Sequence, residues 1–118
     1  MNNKKIELVK ESCPKGEKFL YVFSASIPPT WTTRCRNVLV GVTDKSIYFI
    51  RLNFMGKAVG QTDTFNFNEI KAVTVKNSFV EKVAKIEFAN GRNLVLHILK
   101  FMKGDSEEAL AYLQKEIL

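Results

Sequence analysis

The sequence predicts a mainly β domain closed by one C-terminal α-helix. Three observations carry this. Apolar residues recur with a period of two in short runs, as half-buried strands require. Glycine, proline, asparagine and aspartate punctuate those runs at regular intervals. Only the last segment changes to helical period: Leu110, Leu113 and Ile117 fall at i, i+3, i+7 on one stripe. No internal repeat, linker or low-complexity tract interrupts the 118 residues, so residues 15–118 read as a single domain and residues 1–14 as a lead-in.

The lead-in holds a short amphipathic helix over residues 4–12, with Ile6, Leu8 and Val9 on one side, ending before Cys13-Pro14. Lys15-Gly16-Glu17 is a turn. A first strand follows, in which Phe19, Tyr21, Phe23, Ala25 and Ile27 alternate with a face that turns polar at Ser24 and Ser26, and Pro28-Pro29 stops it. Cys35 to Thr43 is a second strand, Thr43-Asp44-Lys45-Ser46 a tight turn, and Ile47 to Asn53 a third strand. Phe54 to Gly60 is a hairpin loop leading to a more polar fourth strand, Gln61 to Phe67. Ile70–Lys76 and Lys82–Phe88 are the fifth and sixth. Asn90-Gly91 is a hairpin signal opening a seventh, with Leu94, Leu96 and Ile98 on one face. Asp105 or Ser106 caps the closing helix, and Glu107 and Glu108 sit in its first turn, where the dipole favours negative charge. Seven short antiparallel strands favour a sandwich or an open barrel, with the helix covering an opening.

Composition excludes several classes. With 46% hydrophobic and 25% charged residues the chain is neither disordered nor fibrous. The longest charge-free stretch, Phe19 to Thr33, is 15 residues and contains two prolines, short of the roughly 20 that a spanning helix needs. The first residues interleave charge with apolar side chains, unlike a signal peptide. Two cysteines, Cys13 and Cys35, have 21 residues between them, which is neither a zinc spacing nor a redox pair. Reduced thiols and a cytoplasmic location are the expectation. The net charge of +6 belongs to residues 1–57, which carry ten basic and four acidic side chains; residues 58–118 carry eight of each.

The order of elements resembles a pleckstrin-homology-type (PH-like) domain, and more narrowly the bacterial PH-like and GRAM-like domains. The strings that carry the resemblance are Val40-Gly-Val-Thr-Asp-Lys-Ser-Ile-Tyr-Phe-Ile50, with its Thr-Asp turn before an aromatic strand; Phe65-Asn-Phe-Asn-Glu-Ile70 followed by Val73; Phe88-Ala-Asn-Gly91; and the helix from Asp105 to Leu118. Lys15-Gly-Glu17 fits the lead-in of bacterial members. Ser46 departs from the basic residue that many members carry after the turn. The resemblance implies a seven-stranded open barrel of two near-orthogonal antiparallel sheets, capped by one helix, and a binding role without catalytic residues. Fold alone does not fix the ligand.

Catalytic chemistry has little support. The single histidine, His97, has no acid or nucleophile near it in sequence. Gly56 and Gly60 are followed by Gln61-Thr62, so they form no phosphate loop. Histidines, cysteines and clustered acids are too few for a closed metal site. No enzyme, cofactor or metal is therefore expected. In an up-and-down run of strands the first-to-second and third-to-fourth connections fall at one end. That places Trp31, Arg34 and Arg36 beside Phe54, Met55 and Lys57. Large apolar groups with basic neighbours suit a partner groove or an interfacial contact, although Trp31 and Phe54 equally suit folding back over the barrel mouth. Lys18 with Arg34 and Arg36 mimics a basic inositol-phosphate pattern, but Lys18 starts a strand whose far end is ~30 Å away. The lysines are dispersed and no helix is strongly basic, which disfavours nucleic acid. The expectation is a non-enzymatic module that contacts a protein or peptide partner or its own copies. The alternative is peripheral binding to anionic membrane through the basic and aromatic rim.

Overall fold

Alternation is expressed almost as the sequence lays it out. The computed structural model describes residues 3–28, 36–53, 55–99 and 104–117. Helix α1 (Asn3–Glu11) precedes strands β1 (Phe19–Ile27), β2 (Arg36–Thr43), β3 (Ser46–Leu52) and β4 (Asp63–Asn66). A 3-10 turn, Phe67–Glu69, leads into β5 (Ile70–Asn77), β6 (Glu81–Phe88), β7 (Asn93–Leu99) and helix α2 (Ser106–Ile117). The fourth strand, Asp63–Asn66, is shorter than the expected Gln61 to Phe67. Phe67 leaves it for the 3-10 turn, where the Asn66 N–H donates to the Glu69 carboxylate at 2.7 Å.

All pairings are antiparallel, in the order β4-β3-β2-β1-β7-β6-β5. Hydrogen bonding joins the strands into one sheet where two were expected. The join is narrow, since β1 and β7 meet in register only at Ser26 and His97. Below that point the free edge of β1 is taken by Asp105. Its N–H donates to the Val22 carbonyl at 2.8 Å, and its carboxylate accepts from the Val22 N–H at 3.3 Å. Asp105 therefore docks α2 onto the sheet instead of serving only as a cap. Gly104, with φ 148°, lies so close that a side chain there would press on the Phe23 backbone.

The inner face of the sheet and α2 form the main core. Phe23, Val40, Ile47, Phe49, Ile86 and Leu96 meet Ala109, Leu110 and Leu113 there. At one end Tyr112 of α2 packs on Tyr21 and Phe67, with ring centroids 5.7 and 6.1 Å apart. The edge strands β4 and β5 do not pair with each other. The gap is bridged by Phe65, which stacks between Phe49 (6.0 Å) and Phe88 (4.7 Å), and by the Ala89 N–H donating to the Glu69 carbonyl at 2.8 Å.

A second cluster lies on the outer face. Val9 of α1 is fully buried against Val22, Leu39, Tyr48 and Ile50. The Tyr48 hydroxyl donates to the Val9 carbonyl, and burial, then the nearby Cys13 and Glu17, raise its pKa above the ordinary tyrosine value. Tyr48 lies flat across Gly41, its partner on β2, where a Cβ would stand 2.2 Å from the ring. The turn Thr43-Asp44-Lys45-Ser46 knits this end together. The buried Thr43 hydroxyl accepts from the N–H groups of Lys45 and Ser46 and donates to Glu17 at 2.6 Å. Asp44 exchanges two bonds with Lys18.

Candidate binding site

The registers Ile27 with Arg36 and Asn37 with Leu52 set the ends of β1 and β3 beside the start of β2, at the end of the barrel opposite this turn. The β3–β4 connection leaves from there, and the β6–β7 hairpin, Ala89–Arg92, lies at the same end. Between them the described residues enclose a cavity of about 540 Å³. Its apolar wall is Ile27, Val38, Phe49, Phe65, Phe88 and Leu94. The cavity thus begins where the Phe49–Phe65–Phe88 stack ends. Its rim is polar: Arg51 and Asp63 from β3 and β4, Asn68 and Glu69 from the 3-10 turn, and Asn90, Arg92 and Asn93 from the hairpin.

Among the described residues the rim charges balance. Arg51 donates through Nε and one terminal nitrogen to Asp63 at 3.2 and 2.9 Å. Both side chains are about two-fifths exposed, so water screens the pair and it stabilises the fold little. Glu69 and the exposed Arg92 add one charge of each sign. Three asparagine side chains supply neutral donors and acceptors around an apolar floor. Such a lining has the chemistry to accommodate an apolar body within a polar frame.

Of the residues the sequence singled out, Trp31, Arg34 and Phe54 lie outside the described residues, as does the side chain of Arg36. Met55 is 68% exposed and Lys57 is exposed, both on the β3–β4 connection. That connection is wound around Asn53, whose side-chain oxygen accepts from the N–H groups of Met55 and Lys57. Neither side chain lines the cavity. Lys18 stands at the far end, bonded to Asp44, and takes no part.

Sequence reasoning missed the rim itself. A signal was present: on β3 the inward positions run Ile47, Phe49, Arg51, and on β4 Asp63 is two residues before inward-facing Phe65. A charge at an inward position on each of two adjacent strands marks an open mouth. His97 does have an acid beside it in space, although none is near in sequence. Its Nδ1 lies 3.1 Å from Glu81 across the β6–β7 pair, on the outer face. Cys13 is partly buried. Burial, then Glu17 and Asp44, push its thiol pKa up, which keeps it protonated and poorly nucleophilic. Among the described residues no cluster of three metal-ligating side chains forms, and no helix is long and apolar enough to cross a membrane.

Known proteins supply a fold and no more. No family model and no curated protein matches the chain. Among solved structures it is similar to the C-terminal domain of an unknown protein from Leishmania infantum, with TM-score 0.64 and 13% identity over 97% of this chain and 92% of that one. It is also similar to the hSac2 domain from human phosphoinositide phosphatase Sac2, with TM-score 0.60 and 14% identity over 98% and 79% of the two chains. What these likenesses define is a fold class, the PH-like fold of seven antiparallel strands closed by one C-terminal helix.

Proposed function

We infer that this chain is a non-enzymatic binding module of the bacterial PH-like type, and that it takes an apolar side chain of a protein or peptide partner into its open-end cavity. The cavity supports the reading. An apolar pocket of about 540 Å³ with a charge-balanced, asparagine-rich rim suits a peptide, whose amides match the asparagines while one side chain fills the floor. An inositol phosphate or other polyanion would want several unpaired cations, and of the two arginines among the described rim residues Arg51 is committed to Asp63.

Titration of the ¹⁵N-labelled chain with a blocked pentapeptide bearing one phenylalanine among serines and glycines tests this. Amide shifts at Asn68, Glu69 and residues 88–94, absent with an all-polar control peptide, are expected. No shift at about 1 mM peptide would overturn the reading.

One observation favours a second reading. Met55 and Lys57 are exposed close together on the same end, an apolar and basic pair suited to an anionic membrane surface. Co-sedimentation with anionic vesicles at low salt, lost at high salt and in Lys57→Ala, would favour it.

A further inference from the structure

Among the described residues, the most exposed large apolar side chain is Phe79, at 97%, with Val80 beside it at 58%. They occupy the two central positions of the β5–β6 turn. Ser78 holds that turn: its N–H and hydroxyl donate to the Glu81 carbonyl at 2.9 and 3.0 Å, and its oxygen accepts from the Glu81 N–H at 3.3 Å. Turn tips ordinarily carry glycine, asparagine, aspartate or serine. Here a well-tied turn presents an aromatic ring and a branched aliphatic group to solvent.

The tip and the cavity are opposite ends of one strand. β6 starts at the tip and ends at Phe88 in the cavity wall, eight residues or roughly 26 Å away. A strand in mid-sheet does not fold back, so the tip cannot fill the cavity of its own chain. A second copy brings them together. Its aromatic ring suits the apolar floor of Phe49, Phe65 and Phe88, and its shoulders carry Lys76 and Glu81, while Lys82 is paired with Glu107 of α2. A rim with charges of both signs does not repel it.

We propose that the Phe79–Val80 tip of one copy occupies the open-end cavity of the next, joining copies of this chain head to tail. This rests on the reading that the cavity takes an apolar peptide side chain. The contact is heterologous, so each open assembly keeps one free tip and one free cavity, and association continues beyond two until a ring closes or an end is blocked. Its area is small, which places it among weak, concentration-dependent contacts.

Sedimentation velocity of the full chain from about 10 μM to about 1 mM tests it. The wild type is expected to sediment faster with concentration. Phe79→Ser, which removes the tip, and Ala89→Trp, which fills the cavity from an exposed rim position, are each expected to lower the association constant more than about thirtyfold. The decisive sample is their equimolar mixture. One variant retains only a cavity and the other only a tip, so the mixture forms a 1:1 dimer and nothing larger. A wild type that stays monomeric, or a mixture that stays monomeric while the wild type associates, overturns the contact. Titrating a blocked Asn-Ser-Phe-Val-Glu peptide onto Phe79→Ser separates the two claims. Binding there beside a monomeric wild type leaves the cavity reading standing without the head-to-tail contact, and no binding removes both. Asn93→Trp is a second block should Ala89→Trp lose its circular dichroism spectrum.

Discussion

The two ends of the barrel are built on opposite terms. At the closed end the polar groups serve the fold itself. Thr43 and Asp44 tie the β2–β3 turn to Glu17 and Lys18, and Tyr48 ties α1 to the sheet. Tyr112 covers the interior between Tyr21 and Phe67. At the open end the polar groups face water, the Arg51–Asp63 pair is part exposed, and the core stops at three rings. The two ends thus use their polar groups differently, bonded into the fold at one and turned to water at the other.

Substitutions can break that contrast. The largest effect is expected from Gly41→Ala. The added methyl meets the buried Tyr48 ring, and unfolding in urea should show a loss of about 3 kcal/mol. In the Tyr48→Val background the same change should cost little more than Tyr48→Val alone, a strong non-additivity that isolates the ring as the cause. Thr43→Val keeps the shape but strands the Lys45 and Ser46 N–H groups and the Glu17 carboxylate, with an expected cost of about 2 kcal/mol.

Tyr48→Phe should cost about 1 kcal/mol near neutral pH through its lost bond to Val9. It also sharpens the contrast with pH. The Tyr48 hydroxyl is held protonated above its ordinary pKa, so above about pH 10 the folded state binds more protons than the unfolded one. Stability therefore falls as pH rises past that point, and Tyr48→Phe should reduce the fall between urea midpoints measured at about pH 8 and pH 11. At the open end Arg51→Ala should change stability by about 0.5 kcal/mol or less, despite its good geometry, because both partners are part exposed. A loss of more than about 2 kcal/mol there would erase the distinction between the ends.

Legibility in the sequence follows the same division. The closed end is readable because its devices are local: the Thr-Asp turn, the period-two strands and the stripe Leu110, Leu113, Ile117 each declare themselves within a few residues. The covering of the outer face is less so. Ser24 and Ser26 suggest a half-wet β1, yet Val22 on that same face is buried because α1 lies over it with Leu39, Tyr48 and Ile50. The mouth depends on residues far apart in sequence. Arg51 with Asp63, and Phe65 with Phe88, become neighbours only through strand register, and Asn90 reads as a turn residue until the hairpin is folded over the cavity. Phe79 escapes notice in the sequence because its neighbours Asn77 and Ser78 already explain a turn.

The grip of Asp105 on Val22 has a consequence for how the chain comes to be made. Strand β1 is synthesised before the residue that closes its lower edge, which lies 83 positions after Val22 in the chain. Until residue 105 has emerged, a growing chain with β1–β3 already paired still offers a row of open backbone donors and acceptors, the surface on which nascent chains adhere to one another. Emergence of Asp105, just ahead of α2, is thus the step that covers this stretch of the edge.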